Sequence, residues 1–179
     1  MKPVTRRAFI AAAAACPLIV ANAEPALAAK KKKSKKKTAE VGETVVVKTK
    51  KGTLKIAVDG CESSQALTSD YSNYDQVGDG NSVVAVMLVV KNVNVELGDY
   101  EQVEYQRFGI DFTDADGVSL TPFDSGNDYK GYSCALAGYL TALEGQTDRE
   151  AVFVQVPAGT ESIISKLGKT KVTVPITYL

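Results

Sequence analysis

Val83-Val84-Ala85-Val86-Met87-Leu88-Val89-Val90 is the stretch whose reading decides the fold. It is apolar at even and odd positions alike, and five of its eight residues are valine. Gly78-Asp79-Gly80-Asn81, a cluster of turn formers, leads into it. A short run rich in β-branched side chains and opened by a turn reads as a strand buried on both faces, hence a central one. Outward from it the pattern becomes period two. Leu54, Ile56 and Val58 alternate with Lys55, Ala57 and Asp59. Phe108, Ile110 and Phe112 alternate with Gly109 and Asp111, Val152, Val154 and Val156 with Phe153 and Gln155, and Val172, Val174 and Ile176 with Thr173 and Pro175. Each predicts a strand with one buried face. Val45–Val47 and Val118–Leu120 are shorter strand signals. Pro175 lacks an amide donor, which places the last strand at an edge or beside a bulge.

Asp114-Ala115-Asp116-Gly117 and Ser125-Gly126-Asn127-Asp128 supply further turns. Helical spacing appears only through Leu136, Leu140 and Leu143, and Gly138 weakens it. The expectation is an all-β chain, an immunoglobulin-like two-sheet β-sandwich of about seven strands. No Pro-rich or Gly/Ser-rich linker divides residues 41–179, which read as one domain.

The N-terminus reads differently. Lys2, Arg6 and Arg7 precede an apolar stretch from Ala8 to Ala21, and Ala26-Leu27-Ala28 closes it. A basic region, an apolar region and an A-x-A site predict a signal peptide over residues 1–28. Thr5-Arg6-Arg7-Ala8-Phe9-Ile10 resembles the twin-arginine export signal. Cys16 sits where a lipidation site would need a leucine three residues earlier, and Ala13 stands there instead, so it is read as part of the signal, with lipidation of Cys16 as the alternative. Residues 29–40 predict a disordered linker, because Lys30–Lys37 places seven lysines in eight residues. That run is either a tether to an anionic envelope surface or a solvated spacer.

The 179 residues carry 21 basic and 21 acidic side chains, a formal net charge of zero. The charges are segregated: residues 1–39 hold ten basic and one acidic, so residues 40–179 sum to −9. An acidic body argues against a nucleic-acid-binding domain. Histidine is absent, which removes a Ser-His-Asp triad, a Cys-His pair and a His-ligated zinc. Beyond the signal two cysteines remain, Cys61 and Cys134, and an exported chain with two cysteines predicts a disulfide. It would close a loop of about 74 residues and contribute roughly 4 kcal/mol.

Four stretches together resemble one bacterial family. They are Leu54–Asp59, Met87–Val93, Phe108–Gly117 with its Asp-x-Asp-Gly turn, and Val152–Gly159. The family consists of secreted or lipid-anchored proteins with a telokin-like, immunoglobulin-like domain of unknown function, similar in fold to secreted immunogenic antigens of mycobacteria. The resemblance covers roughly residues 50–179. It departs at Leu143-Glu144-Gly145-Gln146, where the family usually has a proline before the glycine. It implies no catalytic residues and no cofactor.

The remaining chemistry rests on carboxylates and tyrosines. Asp111 with Asp114 or Asp116, and Asp124 with Asp128, are the pairs a carboxylate-based envelope hydrolase would use. Asp111, Asp114 and Asp116 also form a weak calcium candidate, lacking the glutamate of an EF-hand loop. Tyr71, Tyr74, Tyr129 and Tyr132, with Tyr139 nearby, lie in loop sequence. Tyrosines there either form a recognition surface or cap the end of the core. The expected function is an exported, non-enzymatic module at the cell envelope that binds a protein or polymer through these tyrosines. A hydrolase, or a purely structural surface domain, is the alternative.

Overall fold

The computed structural model describes residues 37–67, 77–96, 104–123, 128–134 and 139–179. Eleven strands run through them: β1 (Lys37–Ala39), β2 (Val45–Thr49), β3 (Gly52–Ser63), β4 (Asn81–Asn92), β5 (Ile110–Thr113), β6 (Pro122–Phe123), β7 (Ser133–Cys134), β8 (Thr147–Pro157), β9 (Ser162–Leu167), β10 (Thr170–Pro175) and β11 (Thr177–Tyr178). They form two mixed sheets packed face to face. The smaller has the order β1-β10-β9-β5. The larger runs β3-β4-β8, with β2 and β11 both on the far side of β3, and β6 and β7 both on the far side of β8. The chain is thus an all-β sandwich, as its periodicity predicts, with more strands than seven.

The excess has a plain cause. β1, β6, β7 and β11 are only two or three residues long, too short to show a period. β9 carries Ile163, Ser165 and Leu167 inward, and Ser165 breaks its apolar pattern. Val118–Leu120 forms no strand but a single bridge, Thr113 to Ser119. Phe108 closes a 3-10 turn (Tyr105–Phe108) rather than opening a strand, because Gly109 takes φ 68° and redirects the chain. Of the weak helical spacing at 133–144, Leu136 and Gly138 lie outside the described residues, while Ser133–Cys134 is β7 and Tyr139 bridges to Glu104. The expected linker over 29–40 ends early, since Lys37–Ala39 pairs in parallel with Thr170–Val172. Lys30–Lys36 lie outside the described residues. Pro175 ends β10 beyond the reach of β1, and the chain then crosses to the other sheet as β11.

The main core lies between the sheets. Leu54, Ile56 and Val58 of β3, Val84, Val86 and Leu88 of β4, and Val152, Val154 and Val156 of β8 meet Ile110, Phe112, Ile163, Leu167, Val172 and Val174. Each fully buried Leu, Ile or Phe contributes on the order of 2 kcal/mol. A second cluster covers the outer face of the larger sheet: Val83, Ala85 and Met87 of β4, Ala151 and Phe153 of β8, with Leu67 and Tyr132. This explains the opening run of valines, since β4 is buried on both faces. It also corrects the reading of β8, whose Ala151 and Phe153 are buried as fully as its valines.

The Cys61–Cys134 disulfide is not formed. Cys61 lies on β3 and faces the main core, whereas Cys134 lies on β7 and packs against the second cluster. Three strand spacings separate β3 from β7, about 14 Å. Bridged cysteines need Cα atoms within about 7 Å and side chains that converge. These two are too far apart and on opposite faces of one sheet.

Candidate functional site

The site begins at a bulge in β3. Val58 pairs with Leu88 and Gly60 with Met87, so Asp59 is the extra residue. Were Asp59 paired in a regular ladder instead of bulged, the alternation that buries Leu54, Ile56 and Val58 would carry Glu62 into the core. With the bulge, Cys61 turns inward and both Asp59 and Glu62 lie on the outer face. Burial raises the Cys61 thiol far above the usual range, and the neighbouring Glu62 adds to this, so the thiol is inert.

A tight hairpin packs onto this outer face. The Tyr129 amide donates to the Tyr132 carbonyl at 2.8 Å, and the Tyr132 amide donates back at 2.9 Å. Lys130 (φ 50°) and Gly131 (φ 79°) occupy the two central positions, which is the type I′ geometry. The hydroxyl of Tyr129 donates to Glu62 Oε2 at 3.0 Å, and Lys130 Nζ reaches the same oxygen at 2.5 Å. The Tyr132 hydroxyl donates to Asp59 Oδ2. Arg149 of β8 lies over the Tyr132 ring at 5.0 Å and 3.7 Å from Asp59. Tyr129 meets Phe153 edge to face, with centroids 6.1 Å apart. The Asp128 carboxylate accepts the Cys134 amide at 3.1 Å and so closes the hairpin's base.

The electrostatics follow from these contacts. The hydrogen bond from Lys130 holds the Glu62 carboxyl below its ordinary range. Burial raises both tyrosine hydroxyls, helped by their carboxylate partners, so they stay neutral donors. The tyrosines are therefore mostly packing: Tyr132 is 7% exposed and Tyr129 is half-buried. What reaches solvent is two ion pairs, the Lys130 side chain at 50% beside Glu62, and that of Arg149 at 60% beside Asp59 at 39%. Each cation lies over a tyrosine ring within cation–π range.

Of the predicted site residues, Tyr129 and Tyr132 are brought together here. Tyr71, Tyr74 and Asp124 lie outside the described residues. Tyr139 donates to Glu104 at 3.3 Å, away from the hairpin. Asp111 accepts from the Phe112 amide and the Ser119 hydroxyl, and Asp114 accepts from the Val118 amide at 2.8 Å. These two carboxylates hold their own turn, and Asp116 at its tip is exposed. Among the described residues no three carboxylate or thiol side chains converge as metal ligands would. Asp59, Glu62 and Arg149 were not legible as site residues. The signal was the Asp59-Gly60 pair interrupting an alternating strand, which marks a bulge.

Two surface clefts lie elsewhere. One of about 320 Å³ is lined by Ser63, Ser82 and Tyr178 among others, and one of about 280 Å³ by Lys37, Glu43 and Thr170 among others. No helix among the described residues is long and apolar enough to cross a membrane. No family model, curated protein or solved structure matches this chain.

Proposed function

We propose that the chain is an exported, non-enzymatic β-sandwich module of the telokin-like kind, held at the cell envelope, where it binds a protein or polymer. The observation that carries the reading is the hairpin Tyr129–Tyr132 clamped onto the β3 bulge. Two carboxylates, two tyrosines and a bulge hold Lys130 and Arg149 at fixed positions above aromatic rings. Pre-organised cations over a rigid surface lower the entropy lost on binding. Each cation stands beside a carboxylate, Lys130 by Glu62 and Arg149 by Asp59, so the face fits a polar partner that carries an acidic group against each cation. The signal-like residues 1–28 and the lysine run 30–37 support an envelope location.

The test is retention of envelope components on the immobilised chain, compared with the K130A/R149A variant. Both side chains are at least half solvent-exposed, so the melting temperature should hold within a few degrees. Loss of retention without loss of stability supports the reading. Equal retention by both proteins would sink it, as would turnover of envelope glycans by the chain, which would favour a carboxylate hydrolase.

A further inference from the structure

The inner face of β8 carries one charged group that neither the hairpin nor the core explains. Glu150 is fully buried among valines, between the two sheets. Its Oε1 accepts the Thr141 amide at 3.2 Å and the Ala142 amide at 3.0 Å. Its Oε2 accepts the Tyr105 hydroxyl. One carboxyl thus ties the 139–142 segment and the 3-10 turn to β8. The buried Asn92 amide holds Ala142 from the other side, donating to its carbonyl at 2.9 Å. On the backbone, Glu150 is the residue to which Ser133 of β7 pairs, next to Tyr132.

The groups around it decide which charge state fits. From the 3-10 turn come Tyr105 and Glu104, and from the 139–142 segment Tyr139, whose hydroxyl binds Glu104. From β8 itself comes Asp148, which accepts the Thr141 hydroxyl at 3.3 Å. From β3 comes the Cys61 thiol, and β4 presents only Val84, Val86, Leu88 and Val90 and the neutral Asn92. Arg149 belongs to the opposite face, and Arg107 of the 3-10 turn is exposed. Every titratable group on this face is an acid, a phenol or a thiol. The described residues offer an ionised Glu150 no cation.

We infer that Glu150 is a proton-operated latch: protonated, it holds Thr141–Ala142 and Tyr105 closed on the end of the sandwich, and ionised, it releases them to water. The protonated acid keeps every contact, because Oε1 still accepts two amides and Oε2 can give its proton to the Tyr105 oxygen. The ionised form leaves an uncompensated charge in the core, which outweighs the gain from three donors. In keeping with this, burial pushes the carboxyl up to about 7, so the latch turns over near neutral pH.

Hydrogen exchange of the Thr141 and Ala142 amides tests the latch in the whole chain, with the intrinsic pH dependence divided out. Between pH 6 and pH 8.5 their protection should fall about ten-fold, the factor given by a carboxyl at about 7 when closed and 4.5 when open. In E150Q, whose amide mimics the protonated acid, protection should not change with pH. A flat profile in the native chain, or the same fall in E150Q, overturns the proposal. Should E150Q fold poorly, carbon-13 titration of the native Glu150 carboxyl replaces it. A midpoint near neutrality that tracks the loss of protection supports the latch, and a midpoint below pH 5.5 overturns it. These readouts involve no partner, so a failed retention experiment would remove the binding reading and leave the latch standing.

Discussion

Glu150 and Cys61 show how differently two buried titratable groups behave once the fold has placed them. In the unfolded chain Glu150 titrates at the ordinary glutamate value of 4.5, and in the folded chain at about 7. Below pH 4.5 both states are protonated and the residue has no effect on the pH dependence. Between 4.5 and 7 the folded state binds more protons, so stability falls as pH rises and levels off above 7. The total is on the order of 3 kcal/mol. Denaturant unfolding at pH 5 and pH 8.5 should show that loss, and E150Q should remove most of it. Cys61 makes the opposite prediction, one of silence. Its thiol is 2% exposed and held protonated by burial, so maleimide should modify it only as the protein unfolds. Adding a reductant should leave the melting temperature unchanged, because no Cys61–Cys134 bridge exists to be cut. A drop of several degrees on reduction would contradict the observed geometry.

At the scale of elements, the bulge in β3 is the device that makes the site. Strand side chains alternate, so the one extra residue at the bulge exchanges the two faces beyond it. Deleting Asp59, the unpaired extra residue, should leave Gly60, Cys61 and Glu62 in their present register with Met87, Val86 and Ala85. Cys61 should then stay inward and the chain should still unfold cooperatively, about 1 to 2 kcal/mol less stable in chemical denaturation because Tyr132 and Arg149 lose their carboxylate partner. Replacing Tyr132 by phenylalanine is the mild counterpart. It removes one hydrogen bond to Asp59 and keeps the ring under Arg149, so about 1 kcal/mol should be lost in chemical denaturation. A loss several times larger would mean that the hydroxyl, rather than ring packing, holds the hairpin. The elements also show why the disulfide expectation failed. Cysteine number and compartment argue for a bridge, but which strands neighbour each other is a long-range property. β4 and β8 intervene between β3 and β7.

At the scale of the whole molecule the charge segregation sets the expectations. The seven lysines of residues 30–37 precede or open β1 and should draw the chain to anionic vesicles at low salt, by up to about 1 kcal/mol per lysine. Raising salt from 0.1 M to 1 M shortens the screening length from about 10 to about 3 Å. Sedimentation with anionic vesicles should therefore be lost at high salt, absent with neutral vesicles, and abolished by deleting residues 30–36. Binding that survives 1 M salt would point to a contact other than the run. The twin-arginine pair is tested separately: R6K/R7K should leave the chain inside the cell in fractionation, and unchanged export would remove that reading.

What the sequence by itself determined is local. Period-two alternation and the two-faced run Val83–Val90 specify strands, and Gly-Asp-Asn clusters specify where they turn, because both are properties of neighbouring residues. The all-β class, the central place of β4 and the N-terminal charge pattern follow from these alone. Tertiary structure decided what lies across the chain. It placed Tyr129 and Tyr132 over the second face of the larger sheet, set Asp59 and Glu62 beneath them, separated Cys61 from Cys134, and closed Glu150 into the core beside Tyr105 and Ala142. These pairings join residues from 8 to 73 positions apart, and chain topology, not local propensity, selects among such contacts.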